Sequence, residues 1–166
     1  MSVKAKLLLS WVTFILVLDQ LTKFIVDRTM PLHHSIPVID DLFSLTYIRN
    51  TGAAFGMLAG SAAKFRWPFL VLFSILAIGF IIMMVRRLPD RETGLITALA
   101  FILGGAIGNL IDRLAYGEVI DFLDFYWSNY HWPAFNVADS FITIGVAITV
   151  FYLIKAKGED PFSSRA

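Results

Sequence analysis

The sequence predicts a helical membrane protein in which four transmembrane helices form a bundle and a short β-sheet lies on the outer side. Three observations support this fold class. The chain of 166 residues is 57% hydrophobic and 16% charged, which is too apolar for a soluble domain of this length. It contains four apolar segments of about one membrane span each, and one connection alternates as a β-strand does. Residues 1–166 are therefore interpreted as one integral membrane domain.

The four predicted spans are long enough to cross about 30 Å of hydrocarbon as helices. They cover residues 7–26, 68–85, 94–111 and 137–154. The first span follows Lys4 and Lys6, as in a secretory signal peptide, but the pattern continues through Asp19 and Lys23 without a cleavage site of small residues. We therefore interpret it as a retained helix.

Basic residues predict the orientation of the spans, because they are enriched in cytoplasmic segments. The connection 115–136 contains no lysine or arginine, whereas the connection 28–67 carries four, which weakens the signal there. We expect both connections to lie outside and both termini to be cytoplasmic. The basic residues on the cytoplasmic side are then Lys4, Lys6, Arg86, Arg87, Arg91, Lys155, Lys157 and Arg165.

The two outer connections differ in character. In the first, DLFSLTYIRN (residues 41–50) alternates large apolar with smaller or polar residues, and NTGAAFG then supplies a glycine-rich turn. Residues of about 36–58 are therefore predicted to form a short sheet. The second contains DFLDFYWSNYHWPAF, whose aromatic density is typical of a membrane interface. We expect residues of about 118–135 to lie in the headgroup region.

Polar side chains from most of the chain are predicted to collect in one layer near the outer leaflet. At about 1.5 Å per helical residue, Asp19 lies roughly 20 Å into the first span and residues 109–113 roughly 24 to 30 Å into the third. A transport pathway would need polar groups across the whole membrane, so a site at the outer boundary is favoured. The residues of this layer are Asp19, Lys23, Asn50, Asn109, Asp112, Arg113, Asp121, Asn136 and Asp139.

Some of these residues also have a purely structural interpretation. Asn136, Asp139 and Ser140 can cap the fourth helix, whose N-terminus favours a negative charge. The glycines of residues 104–108 form a small-residue surface, which we expect to serve close helix packing rather than ligand binding.

The charged residues of the first and third spans can likewise be structural ion pairs. Asp19 and Lys23 are four residues apart on one helix face, and Asp112 adjoins Arg113. Arg113 can instead point inward with Asn109, because those two residues also share a face.

Composition excludes several kinds of site. The chain has no cysteine, and its three histidines lie outside any metal-binding spacing, so thiol and metal chemistry are not expected. Its net charge of +1 gives no reason to expect a nucleic-acid partner. A serine with a base at a recognisable spacing is also missing from the polar layer.

Carboxylates remain as candidate catalytic groups. Two acids that share one proton can hydrolyse an amide, since one activates water while the other protonates the carbonyl oxygen. The candidates are Asp19, Asp112, Asp121, Asp124 and Asp139. Asp19 and Asp112 each have an adjacent cation, which favours Asp139 with either Asp121 or Asp124, and spacing does not decide between those two. The alternative is a non-enzymatic membrane protein that binds lipid or peptide in the same cavity.

Five sequence blocks resemble the lipoprotein signal peptidases, also called signal peptidase II, a family of bacterial membrane aspartyl proteases. In chain order they are DQLTK (residues 19–23), NTGAAFG (50–56), GGAIGNLIDR (104–113), GEVIDF (117–122) and FNVADS (135–140). The resemblance implies an all-α membrane protein, with a bundle of four transmembrane helices, a small extracytoplasmic β-cradle and an interfacial helix or loop.

The resemblance also implies the function. The expected substrate is a diacylglyceryl-modified prolipoprotein, cleaved just before the lipidated cysteine by an Asp121 and Asp139 dyad without a cofactor or metal. Asp124 then has no implied role. We expect a monomer among the lipids of the bacterial inner membrane, with its active site near the outer leaflet. The residues expected to support the dyad and bind substrate are Asp19, Lys23, Asn50, Asn109, Asp112, Arg113 and Asn136.

Overall fold

Four long helices and a four-stranded sheet make up the part of the chain that the computed structural model describes, residues 2–52 and 63–155. The prediction of a four-helix membrane protein with a small sheet is confirmed, because all four helices in this part are long and apolar enough to cross a membrane. In chain order the elements are α1 Val3–Thr29, β1 Ser35–Ile39, β2 Phe43–Asn50, α2 Ala63–Arg87, α3 Thr93–Tyr116, β3 Val119–Trp127, β4 Tyr130–His131 and α4 Val137–Lys155.

Helix α3 lies at the centre of the bundle and packs against the other three helices. Its N-terminal half forms an apolar core with α2, in which Leu95, Ile96 and Leu99 are buried together with Val85. Burial of such side chains away from the lipid supplies van der Waals contact between the helices.

The glycines of α3 allow its neighbours to approach closely, as predicted. A Cβ atom at Gly104 would lie 3.0 Å from Ile15 Cβ on α1, and one at Gly105 would lie 2.4 Å from the backbone oxygen of Ala138 on α4. A side chain at either position would push these helices apart. Close packing brings the polar residues near the C-terminal end of α3 within contact distance of α1 and α4.

A left-handed glycine turns the chain from α3 into the sheet. Gly117 has φ of 77°, and its N–H donates to Arg113 O at 3.1 Å, which ends the helix. Strand β3 begins two residues later at Val119. Asp112 and Asp121 therefore lie on successive elements joined by a tight turn.

The sheet is antiparallel with the order β1-β2-β3-β4. Ile48 of β2 is opposite Asp121 of β3, and Asn50 is opposite Val119. Tyr47 and Ile120 form a buried cluster with Val26 near the end of α1, which fixes the sheet to the bundle.

The aromatic segment of residues 118–135 takes strand form where we expected an interfacial helix or loop. It contains β3 and the short strand β4, joined at Ser128, whose φ is 53°. Its β-branched and aromatic residues favour strands, and pairing with β2 gives the backbone its hydrogen bonds. In the predicted sheet region 36–58, β1 and β2 are present, while residues 53–58 lie outside the described part of the chain.

Candidate active site

Lys23 of α1 forms the centre of a buried charge network near the C-terminal ends of α1 and α3. Its Nζ lies 2.8 Å from Asp19 Oδ2 and 2.9 Å from Asp112 Oδ2, and it donates to Asn109 Oδ1 at 3.0 Å. The Lys23 side chain is only 2% exposed, so these three acceptors replace the water that its three N–H groups would otherwise bind. The network joins α1 to α3.

The two carboxylates of this network also bind backbone N–H groups of other elements. Asp19 Oδ1 accepts from Ala138 N at 2.9 Å, in the first turn of α4. Asp112 Oδ2 accepts from Ile120 N at 3.1 Å, in β3. Both carboxylates therefore hold the elements that carry Asp139 and Asp121.

The predicted pairing of Asp19 with Lys23 is confirmed, whereas that of Asp112 requires correction. The cation that contacts Asp112 is Lys23 on another helix rather than its chain neighbour Arg113. Adjacent residues on a helix point about 100° apart, so side chains at positions 112 and 113 diverge. Arg113 instead points inward, as the alternative interpretation had it: its Nη1 lies 3.4 Å from Asn109 O.

Gln20 belongs to the network although the sequence did not single it out. Its Nε2 lies 3.1 Å from Asp19 Oδ2 and 3.0 Å from Asp112 Oδ1. Its position beside Asp19 in the DQLTK block was the available signal. The amide gives the two buried carboxylates a further donor without adding charge.

Two asparagine amides connect the lysine network to two further carboxylates. Asn109, whose Oδ1 accepts from Lys23, donates through Nδ2 to Asp139 Oδ1 at 2.8 Å. Asn136 donates through Nδ2 to Asp121 Oδ1 at 2.7 Å, and the same nitrogen lies 3.2 Å from Asn109 Oδ1. Because each amide has fixed donor and acceptor ends, these contacts orient both carboxylates.

Asp121 lies in β3 with only 2% of its surface exposed. Its second oxygen, Oδ2, accepts from Asn50 Nδ2 at 2.9 Å, and Asn50 is itself oriented by Gly52 N, which donates to Asn50 Oδ1 at 2.9 Å. Burial and the neighbouring charge of Asp139 raise the pKa of Asp121 to about 7, although the hydrogen bonds from Asn50 and Asn136 act in the opposite direction.

Asp139 caps α4 and also lines a cavity. Its N–H donates to Asn136 Oδ1 at 2.9 Å, and its Oδ2 accepts from Asn136 N at 3.3 Å, which is the reciprocal pattern of a capping box. Its other oxygen accepts from Asn109. The predicted capping is present, and it leaves the carboxylate facing the cavity.

Asp124 of β3 is not among the residues that line this cavity and contacts β4 instead. Both of its oxygens are within 3.1 Å of His131 Nδ1 on β4, and the His131 ring stacks on Tyr126 at 5.0 Å. Asp124 follows Asp121 by three residues, and alternate residues of a strand point to opposite faces. The structure thus separates the two acids that spacing left undecided.

The cavity between the bundle and the sheet has a volume of about 500 Å³. Its lining combines polar side chains with apolar ones and the segment 132–135. Within the described residues, no group of three His, Asp or Glu side chains is placed to hold a metal ion. The polar residues on its wall are Asn50, Asn109, Arg113, Asp121, Asp139, Ser140 and Thr143.

The predicted site residues therefore divide into two groups. Asn50, Asn109, Arg113, Asp121 and Asp139 line the cavity. The remaining four, Asp19, Lys23, Asp112 and Asn136, are buried. Of these, Lys23 and Asn136 hydrogen-bond to residues that line the cavity.

Residues 11–155 match the family described as signal peptidase (SPase) II. The chain is 57% identical over 140 residues to a protein named lipoprotein signal peptidase from Geobacter sulfurreducens, with 84% of this chain and 86% of the relative covered. A protein of the same name from Geobacter metallireducens is 51% identical over 140 residues, covering 84% of this chain and 85% of the relative.

Two solved structures share the fold. Both are described as bacterial membrane enzymes studied by the in meso method, and each superposes with a TM-score of 0.78. One is 29% identical and covers 96% of this chain and 93% of its own. The other is 33% identical and covers 89% of this chain and 92% of its own.

Proposed function

This chain belongs to the signal peptidase II family, and we propose that Asp121 and Asp139 are the groups with which it hydrolyses its substrate. The protein is a multi-pass bacterial membrane protease that removes signal peptides from lipoprotein precursors. The observation that carries the proposal is that a buried carboxylate, Asp121, and a half-buried one, Asp139, each held by asparagine amides, line one cavity.

We assign the shared proton at rest to Asp121. Its pKa of about 7 leaves it mostly protonated in slightly acidic conditions. Asp139 lies at the N-terminus of α4, where the helix dipole and the Asn136 N–H favour a negative charge. One acid and one base are thereby available in the same cavity.

In the proposed reaction, Asp139 removes a proton from water while the water oxygen bonds to the carbonyl carbon of the scissile amide. Asp121 donates its proton to the carbonyl oxygen, which gives a tetrahedral diol. Asp139 then passes its proton to the amide nitrogen, the carbon–nitrogen bond breaks, and a diol proton returns to Asp121 as the new carboxyl group forms. The leaving amine is the nitrogen of the lipid-bearing cysteine.

The surrounding residues have supporting roles in this proposal. Lys23 pairs with both Asp19 and Asp112 and supports the wall of the site through Asn109. Asn50, Asn109 and Asn136 orient the dyad through the hydrogen bonds described above. Arg113, which lines the cavity, supplies a positive charge for carbonyl or ester oxygens of the lipidated residue.

We further propose that the substrate must carry diacylglycerol, whose chains remain in the lipid while the peptide enters the cavity. This requires the site to lie near the outer leaflet of the inner membrane, with both termini cytoplasmic. We expect the protein to act as a monomer and without nucleic acid.

The test is cleavage of a diacylglyceryl-modified precursor by the purified protein, with the new N-terminus mapped by mass spectrometry. A matched precursor without the lipid measures the lipid requirement. A product that begins at the lipidated cysteine supports the proposal. Binding without cleavage would instead support the non-enzymatic alternative, which nothing in the site favours.

A further inference from the structure

A second ion pair lies beside the site and joins three elements. Arg49 Nη2 of β2 lies 2.5 Å from Asp27 Oδ1, near the end of α1. Arg49 Nε donates to the Tyr47 hydroxyl at 2.7 Å, and that hydroxyl donates to Asp27. The guanidinium also lies 4.7 Å from the ring centroid of Tyr116, the last residue of α3.

These contacts are partly shielded from water. The side chain of Arg49 is 18% exposed and that of Asp27 is 28% exposed, while Tyr47 is buried. A planar guanidinium with two donors engaged and one face against a ring has little freedom to move. Arg49 therefore fixes the end of β2 relative to α1 and α3.

Arg49 precedes Asn50, which is the last residue of β2 and donates to Asp121. The pairing of β2 with β3 is irregular between Leu45 and Ile48, and only three residue pairs follow before the strand ends. A ladder this short gives the strand end little support of its own. The side-chain amide of Asn50 can donate to Asp121 only while the backbone of Asn50 stays in place.

We propose that Arg49 is a positioning residue for the proposed reaction: it clamps the end of β2 so that Asn50 continues to donate to Asp121. The inference rests on the proposed role of Asp121. It assigns no direct contact between Arg49 and the substrate.

The charged groups that face Asp121 come from all three helices packed around it. They are Lys23 on α1, Asp112 and Arg113 on α3, and Asp139 on α4. Arg49→Gln leaves all of them in place. We therefore expect its effect on Asp121 to pass through Asn50, whose hydrogen bond favours the ionised carboxylate.

The experiment compares Arg49→Gln with Arg28→Gln across pH, using the lipidated precursor. Arg28 is exposed and follows Asp27, so it controls for the loss of one positive charge. We expect Arg49→Gln to lower kcat by about tenfold, as for the loss of one hydrogen bond to a charged group, with KM little changed. The upper limit of the pH profile should move to higher pH, as in Asn50→Ala, while Arg28→Gln behaves as wild type.

A double variant shows whether Arg49 acts through Asn50. Arg49→Gln in an Asn50→Ala background should cause no further loss of kcat and no further shift in the pH profile. If the losses of kcat caused by the two substitutions multiply in the double variant, the inference is wrong. It is also wrong if Arg49→Gln lowers kcat without shifting the pH profile, and Arg49 then has only a general structural role.

Two further variants keep the test decisive. If Arg49→Gln fails to fold, Asp27→Asn and Arg49→Lys weaken the same clamp more gently and are combined with Asn50→Ala in the same way. Asp121→Asn is measured in parallel. Full cleavage by Asp121→Asn would contradict the proposed function itself. If Asp121→Asn is inactive but the effects of Arg49→Gln and Asn50→Ala on kcat multiply, only the inference about Arg49 is wrong.

Discussion

Asn136 Nδ2 lies 2.7 Å from Asp121 Oδ1, so the residue that begins the capping of α4 also holds a carboxylate of β3. The same asparagine accepts from Asp139 N through Oδ1. Helix capping and placement of the two acids are therefore one arrangement. A change that disturbs the start of α4 disturbs both carboxylates.

The connection 115–136 is predicted to lie outside the cytoplasm. Ser128, at the turn between β3 and β4, is a suitable fusion point because the turn residues around it are exposed. A reporter active only outside the cytoplasm should function at Ser128 and fail after Lys155. The opposite pattern would place the dyad on the cytoplasmic side and contradict the proposed localisation.

The pKa of Asp121 predicts a fall in cleavage as pH rises through about 7, because burial and the Asp139 charge keep this carboxyl protonated below that value. Above it the dyad loses its shared proton and Asp121 can no longer act as an acid. The measurement is kcat between pH 5 and 9 with the lipidated precursor. A flat profile across neutral pH would argue against Asp121 as the acid.

The same shift predicts a dependence of stability on pH. Folding raises the pKa of Asp121 from its usual 3.8 to about 7. The contribution of Asp121 to the free energy of unfolding is therefore full below pH 3.8 and is lost as the pH rises to about 7. Relative to Asp121→Asn, the wild type should lose up to about 4 kcal/mol across this window. Unfolding in detergent measures it, and a constant difference between the two proteins would contradict the shift.

Lys23→Met should destabilise the protein strongly. It leaves Asp19 and Asp112 buried without their cation, a change that costs about 3–5 kcal/mol in comparable buried pairs. Lys6→Met is the matched control, since Lys6 is exposed on the same helix and should change stability by less than about 0.5 kcal/mol. Equal unfolding midpoints for the two variants would show that the network contributes little.

The fold could be predicted largely because membrane spans depend on local sequence. Apolar length alone locates all four helices, and the glycines near Gly104 indicate the packed face of α3. The strands of residues 118–135 escaped prediction because their form depends on pairing with β2, far away in the chain. From sequence alone, an aromatic run is as typical of a segment at the membrane interface as of a β-strand.

The candidate site divides in the same way. The layer of polar residues follows from helix rise, but the pairing within it does not, as Lys23 contacts Asp112 across two helices. Spacing could not choose between Asp121 and Asp124, since the choice depends on strand alternation in a segment not predicted as a strand. Gln20 went unnoticed because a neutral amide needs no partner to explain its presence.

Arg113→Ala is predicted to weaken cleavage more than it weakens the fold. Arg113 lines the cavity, and its contact with Asn109 O, at 3.4 Å, is long for a hydrogen bond. We expect a loss of about tenfold or more in kcat/KM, the size of one charge-assisted hydrogen bond, with partial rescue by Arg113→Lys. Unchanged kcat/KM in a stable variant would indicate that this side chain extends to the membrane interface without a role in the reaction.

Asp139→Asn separates the capping role of this residue from its proposed catalytic role. Asp139 is the third residue of α4, and the side-chain oxygen of an asparagine there can still accept from Asn136 N, so the variant should stay folded. If Asp139 is the base, kcat should fall by several orders of magnitude, and Asp121→Asn should cause a similar loss, because the two act as a unit. Asp124→Asn is the control, since Asp124 contacts His131 instead, and it should retain most activity. Thermal unfolding in detergent verifies the fold of each variant. Substantial cleavage by a well-folded Asp139→Asn protein would show that this aspartate caps the helix and is not the catalytic base.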